Sequence, residues 1–209
     1  MYFLRKPESV GIIPVYDENS KILMVGSITA IDGNDSGFYY ASRWNSFWKL
    51  LDRVIQSKNP TGQSYDEYKR KLNDNYKGFK KGLLKLHEFE IKRKELQDAF
   101  RKQLLRDGIA ICDIFRSCYF TVANTSLDQN IVKNDPKYPI VSYLDEIRAI
   151  LSIANIKAVI ANSRFVYDFL NTHLEKNVNL VLVDSPSPSR RKKIELKAQD
   201  WISKISKYL

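Results

Sequence analysis

The sequence predicts an α/β protein: a three-layer α/β/α sandwich around a central, mostly parallel four-stranded sheet. Three observations predict it. Four short apolar runs lie at 22–25, 108–114, 158–161 and 180–183, and each ends in a polar turn. The runs are continuous rather than alternating, as strands buried on both faces are. The stretches between them carry helical spacing instead, which is the alternation of an α/β fold. With 209 residues, 44% of them hydrophobic and 12% aromatic, the chain suffices for a single domain over 1–209.

Residues 1–21 read as an extended lead-in, Gly11-Ile12-Ile13-Pro14-Val15, and a turn at Asp17-Glu18-Asn19-Ser20. Ile22 to Val25 is the first strand of the sheet, broken at Gly26-Ser27. A polar loop with Asp32, Gly33, Asn34, Asp35 and Gly37 leads to Tyr39-Tyr40 and Asn45. Residues 47–56 read as a helix because Phe47, Leu50, Leu51, Val54 and Ile55 share one face. Residues 64–106 are helical in composition, divided in two by Gly78 and Gly82, and basic residues outnumber acidic ones there. This segment is expected to form a helical basic insertion at about 60–106, either packed on the domain or reaching along a nucleic-acid backbone.

The second strand, 108–114, runs into Phe115-Arg116-Ser117-Cys118. Residues 142–155 form an amphipathic helix with Leu144, Ile147, Ile150 and Leu151 inward. The third strand ends at Asn162-Ser163, before a helix carrying Phe165, Val166, Phe169 and Leu170. The fourth leads into Asp184-Ser185-Pro186-Ser187-Pro188-Ser189-Arg190-Arg191-Lys192-Lys193, and the final helix places Trp201 in the core.

In open α/β sheets ligands bind outside the carboxyl ends of the strands. The loops after Val25, Ala161 and Val183, with Ser117 beyond Ile114, should open on that edge. Tyr39 and Tyr40 offer rings that stack on a nucleobase, and Asp32 and Asn45 offer groups that bond it or orient a water. Asn162 offers a donor and an acceptor side by side, though asparagine caps helices equally well. In 184–193 the prolines stiffen the loop, the hydroxyls suit phosphate and four successive cations neutralise it.

A net charge of +10 favours an anionic partner, nucleic acid or an anionic membrane. No run spans a bilayer, and Met1 to Pro7 lacks an apolar signal core, so a cytoplasmic protein is expected. Cys112 and Cys118 suit a reducing interior. With only His87 and His173 beside them, no zinc, iron-sulfur or other metal site is expected, and no cofactor.

The stretch 26–48 also resembles a known motif. Gly26, Ser27, Gly37, Tyr39, Tyr40, Ala41, Asn45, Phe47 and Trp48 match, without a gap, motif 1 of the uracil-DNA glycosylase superfamily. The closest branch is hypoxanthine-DNA glycosylase, or DNA-deoxyinosine glycosylase. A second block is similar at Gly108-Ile109-Ala110, Asp113, Ser117-Cys118 and Ser126-Leu127-Asp128. Asn162 matches the strand-end asparagine, and Ser185, Ser187 and Pro188 match the second motif. The chain departs from the branch at Thr29-Ala30, Gly33, Ser42-Arg43, Asp184 and Arg190. Ile28 stands where other branches carry the water-activating Asp or Asn.

The resemblance implies a monofunctional DNA glycosylase, a monomer acting on double-stranded DNA that carries a damaged or modified base. Asn45 would orient the water or the base, with Asp32 as reserve for water activation. Ser27, Ile28, Tyr39, Tyr40 and Asn162 would line the base site. Ser185, Ser187, Pro188, Ser189, Arg190 and Arg191 would hold the DNA. Asp113 and Asp128 read as turn or cap residues, Asp128 especially. The alternatives are a catalytically inactive DNA-binding protein on the same fold, or a nucleotide-binding α/β protein acting on small molecules.

Overall fold

The computed structural model describes residues 2–30, 36–59, 64–123, 127–188 and 192–209. Four parallel strands, β2 (Ile22–Gly26), β3 (Ile109–Asp113), β6 (Ala158–Ala161) and β7 (Leu180–Leu182), form the central sheet in the order β3-β2-β6-β7. Their registers bring Gly26 beside Asp113 and Ala161 beside both Val25 and Leu182. The carboxyl ends of all four strands therefore finish at one edge.

Period-two alternation assigns each strand residue to one of two cores. Ile22, Met24, Ile109, Ile111 and Ile160 face one side, and Leu23, Val25, Ala110, Cys112 and Val159 the other. On the first side pack α1 (Phe47–Gln56), α2 (Tyr65–Lys80), α3 (Leu86–Arg106) and α6 (Ile194–Ile205). Phe47, Trp48, Phe100 and Trp201 are fully enclosed there, each contributing roughly 1.5–3 kcal/mol by burial. On the second side pack α4 (Leu144–Ile153) and α5 (Arg164–His173), through Ile147, Ile150, Val166 and Leu170. The three layers and four strands are those read from the sequence.

A second, antiparallel sheet was not legible there. It joins β1 (Phe3–Arg5), β4 (Phe115–Phe120) and β5 (Val141–Ser142) in the order β1-β4-β5. Strands of two and three residues are too short to show a period. Ser117 belongs to β4 and pairs with Val141, so it is a ladder residue rather than a rim residue.

α2 and α3 form a hairpin whose polar side chains reach into the loop before α1 and the N-terminal lead-in. Asn73 Nδ2 donates to the Ala41 carbonyl at 2.7 Å, Gln97 Nε2 donates to the Gly37 carbonyl, and Arg101 Nη2 donates to Gly11 at 2.7 Å. The hairpin is thus fastened to the polar loop. Cys112 and Cys118 are buried free thiols. No described helix is long and apolar enough to cross a membrane.

Candidate active site

At the carboxyl edge of the central sheet lies a cavity of about 90 Å³, lined chiefly from three loops distant in sequence. The loop after β2 contributes Ser27, Ile28, Thr29, Tyr40, Ser42 and Asn45; the end of β6 contributes Asn162 and Ser163; the loop after β7 contributes Ser185, Pro186 and Ser187. One water needs about 10–15 Å³ of such space, so the cavity holds several waters or a flat ring.

Asn45 precedes α1, and its Oδ1 accepts from the Phe47 amide at 2.9 Å. That bond fixes which end of the side-chain amide is oxygen and leaves Nδ2 as a donor. The Asn45 carbonyl accepts from the Lys69 ammonium of α2 at 2.6 Å, and the Arg43 carbonyl accepts from it at 3.3 Å. Lys69 is buried, and its ammonium loses affinity for its proton through that desolvation.

Asn162 Nδ2 donates to Tyr40 Oη at 2.6 Å, leaving Oδ1 as an acceptor. The neighbouring Ser163, not Asn162, caps α5: its Oγ accepts from the Val166 amide at 3.3 Å. The helix-cap alternative for Asn162 is therefore overturned. Tyr40 sits in the left-handed region at φ 50°, a conformation that costs a non-glycine residue of order 1–3 kcal/mol. Its ring stacks on Phe47, centroids 4.0 Å apart at 6°. One face of Tyr40 is thereby covered, and the ring forms cavity wall.

Tyr39 requires a correction. It is 1% exposed, contacts Phe38 and Tyr40 edge-on or tilted, and does not line the cavity. Adjacent residues point apart, so only one of the two tyrosines reaches the site, and Tyr39 is a core residue. Asp32, Ser189, Arg190 and Arg191 lie outside the described residues. Pro188 is exposed beyond the cavity, next to Ser187.

Three residues that the sequence left aside or read as structural stand at the site or beside it in the chain or the fold. Asp113 ends β3 beneath the cavity wall, 2% exposed. Its Oδ2 accepts from Thr29 Oγ1 at 2.8 Å, while Oδ1 has no partner. Burial pushes its carboxyl up to about 7, against the opposing bonds from Thr29. Asp128, read as a turn residue, opens a short 3-10 turn and lines the cavity. Its carboxyl is pushed up by burial and held down by the neighbouring Ser27 hydroxyl and by Lys133 and Arg5. Trp44 is 64% exposed next to Asn45, with the Arg43 guanidinium 4.2 Å from its ring centroid. An aromatic inside a polar loop was the available signal for it.

Beyond Asn162 and Ser185 the cavity adjoins a trough of about 630 Å³. Arg164, Lys192, Lys197 and Lys204 line it, with Asp128 and Asp184. Lys192 pairs with Asp184, and Lys204 lies 2.7 Å from Asp200. Such surface pairs are worth little, so phosphate can displace them. Ser46 Oγ donates to the Pro186 carbonyl at 2.8 Å and the Ser46 amide to the same oxygen at 3.1 Å, which joins two walls of the cavity. Among the described residues no three His, Cys, Asp or Glu side chains cluster as metal ligands.

The overall architecture has a solved counterpart. The solution structure of a protein from Methanosarcina acetivorans, described as a "putative Uracil DNA glycosylase", superposes with a TM-score of 0.59 over 99% of each chain, at 15% identity. The two proteins share a fold. No protein-family model matches the chain, and no curated protein matches it. The shared fold rests on three-dimensional likeness; in this chain it is a parallel sheet of four strands between helical layers, with loops from three strand ends meeting at one edge.

Proposed function

We propose that this protein is a monofunctional DNA glycosylase, which draws a deaminated or otherwise modified nucleotide out of double-stranded DNA and hydrolyses its N-glycosidic bond. One observation carries the reading: a small cavity and a larger basic trough meet at the same sheet edge. The cavity suits a base and the trough suits the phosphates on either side of it. Unstacking the nucleotide costs a few kcal/mol, offset by phosphate contacts in the trough.

The wall chemistry supports a deaminated base. Deamination leaves an N–H beside a carbonyl on the ring edge. Asn162 Oδ1 is free of the Tyr40 bond and accepts from such an N–H; Asn45 Nδ2 donates to such a carbonyl. As the bond breaks the sugar gains oxocarbenium character and the base leaves with the electron pair. A donor on the base carbonyl stabilises that charge. No step calls for a cofactor, and one copy of the chain supplies every group named. The printed name of the Methanosarcina protein and the likeness of 26–48 to the hypoxanthine branch put deoxyuridine and deoxyinosine first among substrates.

The test is incubation with duplexes carrying uracil, hypoxanthine, xanthine or modified cytosines, followed by alkali. Strand breaks at one base are expected. Asn45→Ala should lower base release by about 100-fold or more, the usual loss for a transition-state donor, with DNA binding kept. Full activity in that variant removes the assignment. Ile28 in the cavity wall favours a second reading, a DNA-binding protein without catalysis. Salt-sensitive DNA binding without breaks would mark it. No affinity for DNA would leave a small-molecule nucleotide site instead.

A further inference from the structure

Resting on the glycosylase reading, we infer that Asp128 is the carboxylate that takes the proton from the attacking water. Among the described residues Asp128 is the one acidic side chain lining the small cavity, and it lines the trough as well. With a base in the cavity and phosphates in the trough, the sugar lies where the two spaces meet. That boundary is where Asp128 stands, so its carboxylate faces the carbon under attack.

The other wall groups do not compete for the proton. Ile28 has no polar side-chain atom, and Asn45 Oδ1 is held by the Phe47 amide. Serine, tyrosine and amide groups are not bases at neutral pH. The Ser27 hydroxyl lies beside the Asp128 carboxylate and favours its ionised form, leaving acceptor capacity for a water. Charged and titratable groups bear on Asp128 from several sides: Arg5 from β1, Lys133 beyond the 3-10 turn, Asp113 at the end of β3, Cys118 on β4 and Tyr40 in the wall. The two cations favour its ionised form, while burial raises its affinity for the proton.

The step balances. The water oxygen bonds to the sugar's anomeric carbon as the bond from that carbon to the base nitrogen breaks. The water's proton passes to Asp128, and the electron pair of the broken bond leaves with the base. The base then takes up one proton, and Asp128 returns its own to solvent. The products are an abasic site and a free base.

Single-turnover base release from deoxyuridine and deoxyinosine duplexes between pH 5 and pH 9 tests the inference, with thermal melting and DNA binding measured alongside. In the parent protein the rate should rise with pH at the acid end and then level. Asp128→Asn should lose about 100-fold or more in rate, keep DNA affinity within about threefold and abolish the acid limb. Ser27→Ala, which retains the carboxylate, should shift that limb to higher pH and serves if Asp128→Asn does not fold. Asp113→Asn should keep the limb, which separates the two carboxylates. An Asp128→Asn protein that folds and releases base at the parent rate overturns the inference and leaves the glycosylase reading standing, as does a limb that vanishes in Asp32→Asn instead. A parent protein that releases no base from any duplex overturns both.

Discussion

Two walls of the cavity are each fastened by a buried lysine, in opposite settings. Lys69 on α2 donates to the carbonyls of Arg43 and Asn45, behind the loop that carries Asn45. Lys197 on α6 donates to the Ser187 carbonyl at 3.0 Å, and it lines the open trough. The first wall is also tied to α2 and α3 by Asn73 and Gln97 and packed on Phe47 and Trp48. The second is held by α6, where Trp201 Nε1 donates to the Asp184 carbonyl at 2.8 Å and Asp200 accepts from the Asp184 amide at 2.7 Å. A wall set from behind suits groups that must be held to fractions of an ångström. A wall set from one helix and facing a trough suits contacts that must adapt to a long anion. The helical hairpin of α2 and α3 therefore reads as the support of the loop that carries Asn45.

The first wall breaks most severely at Gly26. A Cβ there would lie 1.9 Å from Tyr40 Oη and 2.5 Å from Asp113 Oδ1. Neither atom can withdraw: the Tyr40 ring is stacked on Phe47, and Asp113 is the end of a buried strand. Gly26→Ala should cost about 3 kcal/mol in overpacking and part the Tyr40–Asn162 bond. Base release should vanish even where the protein still folds. Urea midpoints and excision assays measure both, and a well-folded, active alanine variant would mean the wall yields more than its packing implies.

Beneath the same wall, Asp113 makes stability depend on pH. Its folded-state carboxyl titrates at about 7, above the ordinary carboxylate range, because burial disfavours the charge. The folded protein holds that proton more tightly than the unfolded chain. The contribution is complete below about pH 4 and disappears as pH rises through 7. Asp113→Asn is neutral throughout, so it should gain on the parent by on the order of 3 kcal/mol between pH 5 and pH 8. Carboxylates common to both proteins cancel in that difference. Parallel stability curves would mean that Asp113 is already ionised at pH 5.

Lys69→Met separates the walls by function. It leaves the Arg43 and Asn45 carbonyls without their donor, at a cost of about 1.5–3 kcal/mol. Because the loop then drifts beneath Asn45, the rate of base release should fall several-fold while DNA affinity stays near that of the parent. A variant that lost affinity with an unchanged rate would assign the hairpin to DNA contact instead.

How much of this was legible in the sequence follows from what kind of pattern each feature leaves. Continuous apolar runs announced the four central strands, and the meeting of the loops at one edge followed from the parallel arrangement. The sequence also named most of the cavity wall, because Ser27, Tyr40, Asn45, Asn162, Ser185 and Ser187 sit at strand ends or in matched motifs. It did not separate Tyr39 from Tyr40, since a left-handed turn at Tyr40 decides which ring goes inward. It placed Asn162 evenly between cap and reader, because Ser163 beside it is equally able to cap. Asp113 and Asp128 passed as turn residues. Their importance lies in neighbours far along the chain, Thr29 for one and Ser27 for the other, which no local spacing records.

The mildest perturbation acts on the latch between the walls. Ser46 offers two donors to one oxygen, the Pro186 carbonyl, and only the hydroxyl is removed in Ser46→Ala. The backbone bond at 3.1 Å survives, so the expected loss is about 0.5–1 kcal/mol. Asn45, held by Lys69 and the Phe47 amide, should keep its position, and the rate at saturating DNA should stay unchanged. The wall facing the trough should loosen, raising the DNA concentration needed for half-maximal rate by a few-fold. If the rate at saturation falls and the concentration dependence does not, the latch serves the wall that carries Asn45, and the two walls are one rigid unit rather than a fixed wall and an adaptable one.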